Sequence, residues 1–183
     1  LVGPYGCGKS SLLSIIAGLI PPEQGTILVN NPDGSLRYPR IGYMLQRDHL
    51  FEWRSVYQNV TLGLELHGQM TKERLELVER LLVEYGLDKF RQKRPSELSG
   101  GMKQRAALIR TLALEPQLLL LDEPFSALDY QTRLSVSADI CRLIREAKKT
   151  MIIVTHNLAE ASSLADRILI LSGGPATIKR ELP

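Results

Sequence analysis

An α/β fold, a mainly parallel sheet flanked by helices, is what this sequence predicts, and three observations predict it. Continuous apolar runs at Leu118–Leu121, Met151–Val154 and Ile168–Leu171 read as short buried strands. Stretches with apolar residues three and four apart separate the runs, so strands alternate with helices. Asp122-Glu123 and His156 follow two of the runs directly, at the carboxyl ends of strands, where such sheets bind their ligands.

Taken in order, Leu1-Val2 reads as the end of a strand and Ser11 to Leu19 as a helix that stops before Pro21-Pro22. Between them, Gly3-Pro4-Tyr5-Gly6-Cys7-Gly8-Lys9-Ser10 fits G-x-x-x-x-G-K-[ST], the phosphate-binding loop. A triphosphate carries several negative charges, so such a loop must present many backbone N–H groups at close range. Glycines allow the approach, and the following helix, opening at Ser11, adds its positive end. Lys9 then reaches the β- and γ-phosphates, and the Ser10 hydroxyl is a ligand for Mg²⁺. At Tyr5 only the backbone is expected to matter. A glycine-rich turn with a solvated lysine is the plainer alternative; the strand–loop–helix context and the complete G-K-S ending speak against it.

Residues 23–45 read as short β elements, with Gly25-Thr26-Ile27-Leu28-Val29 β-rich, Asn30–Gly34 dense in turn residues, and Ile41–Leu45 a second strand ending in Gln46. A loop follows in which Phe51, Trp53, Val56 and Tyr57 cluster. Thr71 to Tyr85 is a helix by the spacing of Leu75, Val78, Leu81, Leu82 and Tyr85, with Thr71 as N-cap, Glu73 in the first turn and Gly86 as the stop. Lys89–Arg94 reads as a solvated basic connection. Ser99 caps a helix running to about Leu114, before Pro116. Gln131–Ala147 is a further helix, with Leu134, Val136, Ile140, Leu143 and Ile144 for packing, and a short helix follows His156.

With 183 residues the chain is read as one domain with a lobe, long enough to bury a core. Its net charge of +3 is too small to argue for nucleic acid or anionic lipid as a partner. Cys7 and Cys141 form no disulfide framework, which suits a reducing compartment. No apolar run approaches a membrane span and no signal peptide is visible. The phosphate loop lacks most of the strand it needs, there is no initiator Met, and Leu182-Pro183 is an abrupt stop. The expectation is a piece lacking its natural N-terminus, and its C-terminus as well.

Asp122 suits a Mg²⁺ shell, and Glu123 is the candidate to polarise an attacking water, since a general base must lie within hydrogen-bond reach of the water it activates. Polar residues that merely close a strand are the alternative for both, as a structural histidine is for His156. The phosphate loop at the same sheet edge favours the chemical reading.

Leu98-Ser99-Gly100-Gly101-Met102-Lys103-Gln104-Arg105 resembles the signature motif of ABC-type ATPases. Around it, Gln46 resembles that family's Q-loop, Asp122-Glu123 its Walker B end, Ser126-Ala127-Leu128-Asp129 its D-loop and His156 its switch histidine. Six motifs in this order cover nearly the whole chain. The resemblance implies a P-loop NTPase core with a helical lobe at about 47–100 and a small antiparallel β lobe, incomplete here. It implies ATP and Mg²⁺ as cofactors, with Ser10, Gln46 and Asp122 toward the metal and Lys9, Glu123 and His156 in hydrolysis. It also implies a head-to-tail dimer, in which the loop, Gln46, Asp122, Glu123 and His156 of one subunit face Ser99, Gly100 and Gly101 of the other, with Gln104 of the signature among the nucleotide-binding residues and Asp129 coupling the two sites. An adenine-stacking aromatic upstream of the loop is absent from this sequence.

Leu50-Phe51-Glu52-Trp53-Arg54-Ser55-Val56 with Asn59-Val60 resembles importers of the nitrate, sulfonate and taurine group. That likeness implies the ATP-hydrolysing subunit of an importer, peripheral on the cytoplasmic face of the membrane and bound to permease subunits through the lobe around Phe51, Trp53 and Arg54. A solute-binding protein would belong to the same system, and nucleic acid would not. Phe51 and Trp53 suit a socket for a membrane partner's helix, the core of the lobe, or both. A soluble ABC ATPase that remodels a protein or nucleic-acid complex is the alternative, and a phosphate-loop kinase a remoter one. The transported solute is not legible.

Overall fold

The computed structural model describes residues 1–27, 40–126, 128–146 and 149–182. The turn expected at Asn30–Gly34 lies outside them, as do Leu28, Val29, Ala127, Ala147 and the side chains of Ile140, Leu143 and Ile144. Thr26 and Ile27 carry no regular structure.

Three strands form a parallel sheet in chain order: β1 (Ile41–Met44), β2 (Leu118–Asp122) and β3 (Thr150–Val154). Ile41 pairs with Leu118 and Leu118 with Thr150, so all three carboxyl ends emerge together. Leu1-Val2 extends this layer. Val2 bridges Thr155 on one side and Ile170 on the other, both parallel, and Thr155 N–H donates to Leu1 O at 3.1 Å. The chain start therefore runs between β3 and β4 (Ile168–Leu171). Beyond β4, the strand β5 (Ile178–Leu182) pairs antiparallel; it was not expected, because Ile178-Lys179-Arg180-Glu181-Leu182 is exposed throughout and lacks an apolar run.

β2 shows why a continuous leucine run becomes a central strand. Leu119 and Leu121 pack into one cluster with Ile109, Ala106 and Phe125, while Leu118 and Leu120 pack on the opposite face with Leu13 and Val154. Alternate residues of a strand point to opposite faces, so a strand covered on both sides must be apolar at every position. Each such leucine contributes roughly 1.5–3 kcal/mol of transfer free energy.

Helices cover the faces. α1 (Lys9–Ile16) starts two residues earlier than expected and ends three earlier. Gly18 at φ 73° stops it, with Gly18 N–H bonded to Ile15 O and Leu19 N–H to Ser14 O, so the glycine and not the later prolines closes the helix. α2 (Val56–Val60) and α3 (Leu62–Leu66) occupy the stretch read as part of a loop. Both are only five residues long, below the length at which periodicity is visible, although Ser55 and Gln58 form a capping box at the start of α2.

α4 (Lys72–Glu84) has the expected N-cap, Thr71, and buries Val78, Leu81 and Leu82. α5 (Gly100–Leu112) begins at the Ser99 cap, and α2, α3 and α4 pack against it. α6 (Tyr130–Glu146) links β2 to β3, and α7 (Leu158–Leu164) links β3 to β4. The basic connection at 89–94 is more than a solvated loop. Arg91 pairs with Glu79 and stacks over Tyr57, and the Lys93 and Arg91 carbonyls accept from Val56 and Tyr57 N–H.

Candidate functional site

The loop at 3–8 joins the Val2 bridge to α1. Gly8 sits at φ 100°, a conformation that favours glycine, and as N-cap it has no side chain to occupy the first-turn N–H groups of α1. Those donors and the helix dipole form a site for an anion. Lys9 is only 7% exposed, and its ammonium donates to Gly3 O at 2.9 Å and Pro4 O at 2.7 Å, with Cys7 Sγ at 3.9 Å. A buried cation held by two loop carbonyls is poised to exchange them for a stronger anionic acceptor.

Asp122 ends β2 and is 4% exposed. Burial pushes its carboxyl above the ordinary range. A hydrogen bond from Ser10 acts in the opposite direction; the Glu123 charge raises it further and the Lys9 charge lowers it. The two side chains read as metal ligands are thus in contact. A buried carboxylate beside a hydroxyl fits a divalent cation that completes its shell with phosphate oxygens and water. Among the described residues no group of three His, Cys, Asp or Glu side chains gathers as a metal cage, so the donor set suits such a shared ion and not an all-protein site.

Glu123 follows at φ 48°, a left-handed conformation that costs a non-glycine residue on the order of 1–2 kcal/mol. Its N–H still donates to Val154 O at 2.9 Å, so the backbone turns immediately after the ladder ends. That turn lets two consecutive carboxylates serve one sheet edge. Glu123 Oε2 accepts from Gln46 Nε2 at 3.3 Å, and Oε1 lies 3.2 Å from His156 Nδ1. Ends of β1, β2 and β3 therefore meet at one carboxylate that is 8% exposed. Gln46 is brought to Glu123 and not to the Ser10–Asp122 pair.

Gln104 is 5% exposed and its Nε2 donates to the Glu123 carbonyl at 3.3 Å, tying α5 to the backbone turn. The Tyr5 ring centroid lies 5.5 Å from that of His156, with the planes at 36°, and Lys9 Nζ is 5.9 Å from the same ring.

Ser99 accepts from Met102 N–H at 3.3 Å, and Ser99 and Gly100 are exposed at the N-terminus of α5. No described contact joins Ser99, Gly100 or Gly101 to the Lys9–Glu123 set. Asp129 caps α6 through a 3.0 Å bond from Thr132 N–H. In the segment after Gln46, Trp53 is 70% exposed and its ring lies 4.7 Å from that of half-buried Phe51, so Trp53 is not core. Arg54 is already paired with Glu65 at 2.6 Å.

Sequence reasoning missed Arg110, which donates to the carbonyls of Asp48 at 2.7 Å and His49 at 2.8 Å and so fixes the segment after Gln46 to α5. It also missed the role of Asn59, fully buried, which bonds Phe51, Arg54 and Ser55 and shapes the aromatic turn. Neither carries a periodicity signal. A cavity of about 550 Å³ lies elsewhere, between β3, β4, α6 and α7. Among the described residues no helix is long and apolar enough to cross a membrane.

The family model described as ABC transporter matches residues 1–126. The chain is 51% identical over 177 residues to an uncharacterized ABC transporter ATP-binding protein, YtlC, of Bacillus subtilis strain 168, covering 97% of this chain and 68% of that one. It is 43% identical over 181 residues to the nitrate import ATP-binding protein NrtD of Synechocystis sp. PCC 6803, and 39% identical over 181 residues to the taurine import ATP-binding protein TauB of Jannaschia sp. CCS1. Each match covers 99% of this chain and 68% of the relative. A dimeric structure of a bacterial ABC transporter cassette, MJ0796, superposes with a TM-score of 0.85 at 32% identity, covering 99% of this chain and 82% of that one. The same cassette in a post-hydrolysis state bound to ADP and Pi gives a TM-score of 0.83 at 31% identity.

Proposed function

We propose, from the premise that the chain belongs to the ABC transporter family, that it binds and hydrolyses ATP to energise import of a small solute of the nitrate, sulfonate or taurine kind. The observation that carries the reading is the convergence of Gln46, Glu123 and His156 at the sheet edge that also presents the Lys9 loop and the Ser10–Asp122 pair. Its importer character is supported by the relatives named for nitrate and taurine import.

In this reading the loop 3–8 and Ser11 wrap the phosphates, and Lys9 exchanges the Gly3 and Pro4 carbonyls for the β- and γ-phosphates. Ser10 and Asp122 hold Mg²⁺, which when bound neutralises charge on the phosphates. Glu123 takes a proton from the attacking water. Gln46 and His156 orient its carboxylate, one on each oxygen.

The exposed cap at Ser99–Gly101 belongs to a second subunit's site, and this explains why one chain carries two helix termini suited to anions. ATP then sits inside a head-to-tail dimer, a ligand-driven shift between two states. Asp129 lies at that interface. Residues from about 47 to 100 form a helical lobe whose exposed Trp53, with Phe51 and Arg54, contacts permease subunits at the inner membrane face. A solute-binding protein supplies the permease.

Light scattering of the Glu123→Gln protein with and without Mg-ATP tests this. A dimer that appears only with Mg-ATP, and is lost on adding Ser99→Arg, is the expected result. A monomer under all conditions, in a chain that binds ATP, would overturn the shared site.

A further inference from the structure

We propose that the Tyr5 side chain is a positioning residue for His156; the proposal rests on the reading of this site given above. The phosphate loop asks only for backbone at this position, so a large ring there is a choice the loop itself does not explain. The ring is 76% exposed, and the neighbour it does touch is the imidazole of His156, with centroids 5.5 Å apart and the planes tilted by 36°. Offset and tilted pairs at this separation are attractive. His156 has need of such a neighbour. Its side chain is 46% exposed, and Nδ1 makes a single described hydrogen bond, to Glu123. An imidazole held at one atom pivots about that bond. A tilted ring beside it narrows the pivot and so biases which way the Glu123–His156 pair is aimed. Lys9 Nζ lies 5.9 Å from the same ring, so Tyr5 neighbours both the cation of the loop and the imidazole. The effect acts on turnover and not on affinity, because the ring contributes nothing to the backbone donors that hold phosphate.

Steady-state Mg-ATP turnover of the wild type, Tyr5→Ala, Tyr5→Phe, His156→Ala and the Tyr5→Ala/His156→Ala double variant tests the proposal, with thermal midpoints recorded for each. Tyr5→Ala is expected to lower kcat roughly three- to tenfold and leave KM within about twofold. Tyr5→Phe, which keeps the ring, is expected to recover most of that loss. The double variant should be no slower than His156→Ala, since coupled residues are not additive. The His156 Cε1–H resonance should shift in Tyr5→Ala and remain near its place in Tyr5→Phe. Should Tyr5→Ala fail to fold, Tyr5→Leu replaces it. A wild-type kcat in Tyr5→Ala, a loss confined to KM, a Tyr5→Phe protein as slow as Tyr5→Ala, or additive losses would each overturn the proposal. Wild-type protein without turnover, or His156→Ala at wild-type turnover, would instead remove the reading of the site, and this proposal with it.

Discussion

Glu123 Oε1 lies 3.2 Å from His156 Nδ1, a contact between residues 33 apart that joins the ends of two neighbouring strands. The register explains it. Asp122 pairs with Val154, so the residues just past each strand emerge side by side. Replacing Glu123 with Gln keeps the shape while removing the base. Turnover should fall at least about 100-fold with ATP affinity within a few-fold, as expected for a lost general base. Rapid-quench hydrolysis and equilibrium ATP binding check it; near-wild-type turnover would assign the water to another residue.

Lys9→Ala should weaken Mg-ATP binding at least about tenfold, because a charge-assisted bond is worth about 1.5–3 kcal/mol. The ammonium is buried and held by the Gly3 and Pro4 carbonyls, so it is already fixed at the mouth of the loop. Titration with a fluorescent ATP analogue decides; unchanged affinity would rule out the phosphate-loop reading.

Much of this arrangement was legible from local signals. The leucine run at 118–121 could only be a strand covered on both faces, and Thr71 and Ser99 cap helices where their hydroxyls said they would. What stayed hidden depends on contacts distant in sequence. Gln104 looks like a polar motif residue until its amide is seen on the Glu123 carbonyl, 19 residues away. β5 is exposed on every residue, so no burial pattern marked it. The left-handed turn at Glu123 is imposed by the strand end and has no glycine to announce it.

Asp129 gives a pH-dependent test. Its carboxyl is held below the ordinary value by hydrogen bonds from Thr132, first the side chain and then the backbone N–H at the start of α6. A carboxyl with a lowered folded-state value binds its proton less tightly when folded. Its stabilising contribution is thus complete above the unfolded value of about 3.9 and is lost as pH falls through the lower folded value. Asp129→Ala should lower the urea midpoint at pH 7, while Asp129→Ser, which keeps a cap, should retain most of it. The gap between wild type and Asp129→Ala should narrow below pH about 4. A gap that persists unchanged into acid would mean the carboxylate is not the capping group.

Arg110 spans from α5 to the segment after Gln46 through the carbonyls of Asp48 and His49, the latter at φ 46°. Removing the guanidinium leaves two carbonyls without their donor and frees the residues that hold Gln46 near Glu123. Arg110→Met should destabilise the fold by about 1–3 kcal/mol in urea. Faster limited proteolysis at Arg47 should accompany it. Unaltered stability and cleavage would show that this segment is held by other contacts.

Trp53 separates partner binding from folding. It is 70% exposed and touches the Phe51 ring at 4.7 Å, on a turn that buried Asn59 holds rigid from inside. An exposed aromatic on a fixed turn is costly to leave in water and contributes little to the core, so its replacement should change stability by no more than about 0.5 kcal/mol. Trp53→Ala should therefore leave basal ATP hydrolysis and the urea midpoint near wild type, while abolishing stimulation by the reconstituted permease. Asn59→Ala should disturb both, because it removes four hydrogen bonds that shape the turn. Loss of basal hydrolysis in Trp53→Ala would mean that the exposed indole supports the ATPase fold through its Phe51 contact, and intact permease stimulation would move the membrane contact to another face.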